Sequence, residues 1–346
     1  MTQVGVGCIL LPFNPAFKEG FEMLDVVRVG FIGAGGNASG HMNRVSQIEG
    51  TQIVAICDLN ESRAAEAAGR YGAKAYTDYR RMIDEVEMDA VYVSVPPFAH
   101  YDAEIRAAEK KIHLFVEKPV ALTLEKGIQI WEAIERNGVI SCVGYQLRYG
   151  PYVEAIREFL QDKNIAMAVA ERWGSMIIPK RWWHMMERSG GQLVEQTTHQ
   201  VDLLRYWVGD VREVYARYAL QVHKHTPEVT IPDLQILTLQ FANGALGYIA
   251  SSCTNIPGRG GYDIYIEGMR IEVRGREPRV YPEDAGVTFT PREEPSIDEA
   301  FIDAVRRGDP SGIKSPYIDA LKTLDVTLAA NRSAKENRPV PTYFSW

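Results

Sequence analysis

Val27-Arg-Val-Gly-Phe-Ile-Gly33-Ala-Gly35-Gly36-Asn37-Ala38 is a β-branched and aromatic run that breaks into a glycine-rich turn. The spacing is G-x-G-x-x-G/A, with Ala38 in the third place. Gly33 permits the tight turn, Gly35 lets a pyrophosphate come close to the backbone, and the N-terminus of the following helix favours its negative charge. Gly36, Asn37 and Ala38 complete the expected cofactor loop. A glycine motif by itself is weak; here a strand precedes it, a helix pattern follows, and Asp58 ends the next strand 25 positions after Gly33, where an acid can bind the adenosine ribose hydroxyls. The stretch therefore predicts a dinucleotide-binding βαβ unit. Asp58 would repel a 2′-phosphate, so NAD is the expected cofactor, while Arg63, one turn into the next helix, could reach a phosphate or stack on adenine and leaves NADP open.

Outward from this stretch, the chain from 26 to 148 alternates short β-branched runs with longer helical patterns, the signature of a doubly wound parallel sheet. The strands expected are 27–32, 52–57, 90–95, 112–116 and 139–143, with helices over 60–71, 78–86, 101–110 and 124–137 between them. After a helix near 152–161 the pattern changes to longer strands, such as 165–173, 211–222, 234–241 and 245–252, without parallel crossovers. Asn243-Gly244 signals a tight hairpin between two of them. An α+β second domain over 149–346, built on a large, mostly antiparallel open sheet, follows, closed by helices at 296–307 and 316–333, the last able to pack back on the first domain. Residues 1–25 read as an N-terminal extension.

The 346 residues suit two domains. No apolar stretch approaches the ~20 residues of a membrane helix, and a formal net charge of -7 argues against nucleic acid as a partner. Cys8, Cys57, Cys142 and Cys253 are far apart and lack CxxC spacing, which fits a reducing cytoplasm and predicts neither a zinc cluster nor a disulfide framework. The apolar run Val4 to Phe13 has no basic residue before it and no clear cleavage site after it, so a secretory signal is not expected.

Three segments carry the expected chemistry. Val93-Ser-Val-Pro96-Pro97-Phe-Ala-His100 follows a strand at the carboxyl edge of the sheet, where Ser94 and Pro96 should wall the cofactor crevice; His100 could reach the cofactor or simply cap and pack. Glu117-Lys118-Pro119 ends the next strand in the same crevice, where a Lys can hold the substrate oxygen and stabilise charge developing on it. Lys118-Pro119 is a candidate cis peptide. In Ser189-Gly190-Gly191-Gln-Leu-Val-Glu195-Gln-Thr-Thr-His199-Gln-Val-Asp202, read as one helix, Glu195, His199 and Asp202 form a polar stripe at i, i+4 and i+7 beside an apolar one. Glu195 and His199 also have the spacing of two metal ligands, but no third ligand motif accompanies them and no metal is expected.

These segments resemble the Gfo/Idh/MocA oxidoreductases, the group that contains glucose-fructose oxidoreductase and inositol dehydrogenase. The resemblance runs through GFIGAGGNA, Asp58, SVPPFAH, EKP at 117–119, GYQLRYGPY at 144–152, the SGG-to-HQVD segment and the closing ALKTLDVTLAANRSAKENRPV. It implies that Lys118 is the active-site lysine and His199 the general acid/base. The family usually has Asp four residues before the histidine; here it is Glu195, one methylene longer, and Thr197 stands where glycine is common. The implied reaction is hydride transfer between nicotinamide and a hydroxyl-bearing carbon of a sugar or polyol, with His199 taking the hydroxyl proton, Lys118 stabilising the alkoxide and Glu195 orienting the pair.

For the substrate, Arg148 and Tyr149 after the last Rossmann strand and Lys180-Arg-Trp-Trp-His184 before the glycine turn offer donors and aromatic faces. Arg148, Trp183, Gln196 and Asp202 are the candidate contacts, with core or interface roles open for Trp182 and Trp183. Two rival readings are a cofactor-binding sensor without turnover, as in a yeast galactose-pathway repressor of this group, and a sugar-cleaving enzyme that oxidises transiently and recycles its nicotinamide. The resemblance also implies a homodimer or homotetramer.

Overall fold

The computed structural model describes residues 23–175, 181–275 and 277–344. The readings placed on residues 1–22 and on Lys180 lie outside them.

The first sheet has six parallel strands: β1 (Val27–Ile32), β2 (Thr51–Cys57), β3 (Lys74–Tyr76), β4 (Ala90–Val93), β5 (His113–Val116) and β6 (Ser141–Val143), in the order β3-β2-β1-β4-β5-β6. Its direction of winding reverses between β1 and β4, which opens a crevice at their carboxyl ends. The helices are α1 (Gly36–Val45), α2 (Glu61–Tyr71), α3 (Tyr79–Glu85), α4 (Ala103–Glu109) and α5 (Leu124–Asn137). Local chemistry marks their ends: Asn60 and Thr123 accept first-turn N–H groups of α2 and α5, and Gly72 and Gly138 close the same helices in the left-handed conformation. The short, half-polar β3 went unread because three residues give no periodicity.

The second unit begins with α6 (Val153–Leu160) and β7 (Ile165–Ser175), continues through α7 (Met186–Ser189), a π-helical turn at Leu193–Thr197 and α8 (Thr198–Val208), and then builds β8 (Val211–Ala219), β9 (Leu234–Phe241), β10 (Leu246–Ser252), β11 (Thr254–Ile266), β12 (Met269–Val273) and β13 (Pro278–Tyr281). With β14 (Val340–Pro341) these form an eight-stranded sheet, β13-β12-β11-β7-β10-β9-β8-β14, in which only β7 and β10 run parallel. Asn243 and Gly244 do connect β9 to β10, but only Gly244 takes a positive φ (92°), and the Asn243 side chain is tied to Val208 O and Ala245 N.

The inner face of this sheet packs Ala168, Leu237, Ile249 and Ile264 against Leu204 and Val208 of α8. Both closing helices return to the first unit. α9 (Ile297–Arg307), started by a Ser296/Glu299 capping box, packs Ile297, Phe301 and Val305 with Val29, Phe31 and Tyr92. α10 (Tyr317–Glu336) lays Tyr317, Leu321 and Leu324 on the first core and Val326, Ala329 and Ala330 on the second. The C-terminal helices thereby fix the two sheets around one cleft.

Candidate active site

At the β1/β4 reversal lies a cleft of about 890 Å³ that takes in Gly33, Gly35, Gly36, Asn37, Asp58, Arg63, Ser94, Pro96, Glu117, Lys118 and Glu195. Gly33 has φ of 100°, and a Cβ there would lie 2.3 Å from Ser94 O, so no other residue fits the turn. Gly35 and Gly36 face open space, with nothing within 4 Å of an added Cβ, and the first turn of α1 has no side-chain cap. Uncapped N–H groups at an open helix end suit a pyrophosphate. Ser94 Oγ is buried at the same place without a protein partner. Ala38 is fully buried in the core and acts through close packing of α1 on the sheet. Asp58 accepts from the backbone of Ala34 (2.9 Å) and Asn60 (2.9 Å), and Arg63 Nη1 lies 3.3 Å from it. The arginine is thus engaged by the acid that would bind ribose. These features fit a bound dinucleotide.

His100 differs from the cofactor reading. It is 3% exposed, is bonded through Nδ1 to Glu104 and lies outside the cleft lining. A buried histidine in the link between the turn at Pro97–Ala99 and α4, paired with a buried carboxylate of α4, is a packing group, the second of the two readings left open.

Lys118, two residues past β5, is joined to Pro119 by a cis peptide, and its Nζ donates to Glu195 O at 2.6 Å, with Glu195 Oε1 at 3.5 Å. The other carboxylate oxygen, Glu195 Oε2, accepts from Trp183 Nε1 and Gln196 Nε2. Trp183 is 1% exposed, so it orients Glu195 and presents no face to a substrate. A second opening of about 620 Å³, continuous with the first through Gly36, Asn37, Glu117 and Lys118, brings Gln196 and His199 to the same place. His199 Nδ1 is buried without a partner, and burial, with Lys118 and Arg172 nearby, holds the imidazole well below its ordinary 6.5. It is therefore neutral at physiological pH and able to accept a proton.

The straight-helix reading of 189–208 needs correction at Leu193–Thr197, where the wide π turn changes the angular offset between Glu195 and the residues of α8. Glu195 and His199 stay at the opening, but Asp202 turns inward. Asp202 (1% exposed) is paired with Arg148 (2% exposed) through bonds of 2.8 and 2.6 Å. Arg148 also meets Asp319 at 2.5 Å and Lys314 O at 2.6 Å. Burial alone would lower Arg148, but the charges of Asp202 and Asp319 outweigh it and hold the guanidinium above its usual range. Neither Arg148 nor Asp202 has an atom free for a substrate, so the expectation that they contact one is replaced by a structural role joining β6, α8 and α10.

Two groups near the site were missed from sequence. His41 on α1 bonds Asp298 at 2.6 Å through Nδ1 and Glu117 at 2.9 Å through Nε2, while Arg44 bonds Asp298 at 2.5 Å. Burial would lower His41, yet these carboxylates raise it to about 9. Its signal was a histidine with an arginine at i+3 on the buried side of the first helix. The other is Arg172 of β7, which donates to Gln196 Oε1 at 2.7 Å. Among the described residues no three His, Cys, Asp or Glu side chains are grouped to hold a metal ion.

Residues 27–145 match the model of an oxidoreductase family with an NAD-binding Rossmann fold, and residues 163–280 match the GFO/IDH/MocA C-terminal domain. The chain belongs to the Gfo/Idh/MocA oxidoreductases. Within that family it is 30% identical over 255 residues to the oxidoreductase YrbE of Bacillus subtilis, covering 73% of this chain and 72% of YrbE. It is 28% identical over 337 residues to the myo-inositol 2-dehydrogenase of Thermotoga maritima, covering 91% and 98%. In fold it is similar to the WlbA dehydrogenase of Bordetella pertussis, solved with NADH and UDP-GlcNAcA, at a TM-score of 0.79 and 24% identity over 91% of this chain and 98% of that one. A levoglucosan dehydrogenase solved with NADH and levoglucosan superposes at 0.81 with 20% identity over 91% and 99%. The chain is accordingly an NAD-binding enzyme, an oxidoreductase, and no helix among its described residues is long and apolar enough to cross a membrane.

Proposed function

We propose that this Gfo/Idh/MocA oxidoreductase moves hydride between nicotinamide and a hydroxyl-bearing carbon of a sugar, sugar derivative or polyol. The observation that carries the reading is the meeting of Lys118, Glu195 and a neutral His199 where the cofactor cleft runs into the second opening. Bound NAD supplies the hydride acceptor at nicotinamide C4. His199 accepts the substrate hydroxyl proton; it lines the second opening, and burial with the neighbouring Lys118 and Arg172 keeps it unprotonated before the substrate arrives. Lys118 places an ammonium where alkoxide charge develops. Glu195, fixed by Trp183 and Gln196, holds Lys118 in position. Gly33, Gly35, Gly36, Asn37, Asp58 and Ser94 hold the dinucleotide, and Asp58 favours NAD over NADP. The named inositol and levoglucosan dehydrogenases among the relatives support a polyol or sugar substrate.

The test is absorbance at 340 nm with NAD or NADP against cyclic polyols, aldoses, anhydrosugars and sugar acids, with Lys118→Ala in parallel. Cofactor reduction by one compound, lost in the variant, supports the reading. Binding of both cofactors without reduction, and without ketone reduction in the reverse direction, contradicts it.

The outer face of the second sheet supports self-association into a dimer or tetramer. Met167, Leu246 and Tyr265 are adjacent in register there and 38%, 59% and 36% exposed, an apolar strip a second copy would cover. Light scattering on the purified protein decides it. Cys57, Cys142 and Cys253 are free and buried, which supports a reducing, cytoplasmic setting.

A further inference from the structure

Where the inner face of the second sheet approaches the π-helical turn, its side chains change from apolar to polar. Tyr218 lies beside Gln235, Gln235 beside Ser251, and Ser251 beside Arg172, so one polar rank crosses β8, β9, β10 and β7. Two residues along each strand on the same face stand Ala216, Leu237, Ile249 and Ala170 of the core. Ser251 Oγ donates to Gln235 Oε1 at 2.8 Å, and Arg172 Nη2 donates to Gln196 Oε1 at 2.7 Å. What remains is a surplus of donors. Arg172 Nη1, Gln235 Nε2 and the Tyr218 hydroxyl are all buried and unpartnered, and Gln235 is only 2% exposed.

Arg172 forms no ion pair with any described residue. The nearby Glu195 carboxylate is engaged by Lys118, Trp183 and Gln196, and Gln196 stands between the two, giving its Nε2 to Glu195 and its Oε1 to Arg172. A half-buried guanidinium whose Nη1 is fully buried without an acceptor is costly, and so is each other buried donor left without one. Both deficits are met by one kind of ligand, a group that is negatively charged and made of acceptor oxygens. The rank holds a single cation, which matches a monoanion.

We propose that the substrate carries a carboxylate that binds Arg172, with Gln235 and Tyr218 as further donors, so that the enzyme acts on an acidic sugar or polyol acid in preference to a neutral one. The inference rests on the hydride-transfer reading above and specifies the substrate class of that site.

The experiment is calorimetry on the NADH-loaded full chain with acid and neutral counterparts: D-glucuronate against D-glucose, D-galacturonate against D-galactose, and D-gluconate against D-glucitol. A charge-assisted contact of this kind predicts that at least one acid binds about 10-fold or more tightly than its neutral partner. Arg172→Gln brings that pair to near equality with NADH affinity unchanged, while Arg172→Lys keeps part of the preference. Thermal melting and NADH titration check that the variants fold; if Arg172→Gln does not, the wild-type comparison and Arg172→Lys still decide. The proposal is overturned if no acid outbinds its neutral partner, if the preference survives in Arg172→Gln, or if D-glucose 6-phosphate outbinds every carboxylate. Acid binding without cofactor turnover in either direction would instead reject hydride transfer and leave the carboxylate seat standing.

Discussion

Replacing Asp202 by Ala should damage stability and spare turnover. The carboxylate takes two bonds from Arg148, at 2.8 and 2.6 Å, and one from Thr323 Oγ1 at 3.0 Å, all in the protein interior. Breaking a buried ion pair by removing one partner costs about 3–5 kcal/mol, because the other charge is left uncompensated. Arg148 would retain Asp319 at 2.5 Å and Lys314 O at 2.6 Å, which places the loss toward the lower end, at about 3–4 kcal/mol. Urea unfolding followed by tryptophan fluorescence reads that loss, and cofactor reduction per folded molecule reads function. The expected variant is less stable, with substrate KM within about threefold of wild type, since no Asp202 atom reaches the opening. A stability change under about 1 kcal/mol together with a tenfold rise in KM would refute the reasoning and return Asp202 to the substrate site.

Two further outcomes follow from groups around the cofactor cleft. His41 is raised to about 9 by Asp298 and Glu117 against the opposing effect of burial, so its contribution is fully present below pH 6.5 and is lost as pH rises through 9. The stability gap between wild type and His41→Gln should shrink by about 3 kcal/mol between roughly pH 6 and pH 10; a gap that is flat or widens contradicts the assigned charge. Asp58→Ala should weaken NAD binding and narrow the NAD-over-NADP preference by about tenfold or more, with the freed Arg63 available to a 2′-phosphate. Fluorescence titration with both reduced cofactors measures it, and an unchanged ratio would remove Asp58 from cofactor choice.

What the sequence revealed and what it hid divide along physical lines. The glycine turn, Asp58 and the Glu117-Lys118-Pro119 strand end are local: each depends on neighbours within a few residues, and each lines the cleft as the strand-turn-helix pattern implied. The hairpin at Asn243-Gly244 was legible for the same reason, though its turn geometry was not. Residues whose role depends on distant partners were misread or missed. Asp202 looked like part of a functional stripe because it lies one turn after His199 on α8, and no local pattern shows that Arg148 holds it in the interior. Its true partner Arg148 is 54 positions away. Arg172 sits in an unremarkable strand pattern and gains meaning only when the register of four strands sets it beside Ser251, Gln235 and Tyr218. His41 joins a carboxylate 257 positions away, a pairing no local pattern contains.

The central claim is that a neutral His199 takes the hydroxyl proton. Its most direct test is kcat/KM for wild type and His199→Asn across pH 5.5 to 9, with a compound that reduces NAD in the screen. Because burial and the neighbouring cations keep His199 well below 6.5, wild-type activity should show no loss of base as pH falls from 8 through 6.5. His199→Asn should lose about 100- to 10,000-fold with NADH affinity unchanged. Full turnover in His199→Asn, or a wild-type profile that falls away at an ordinary histidine pKa, would contradict the account.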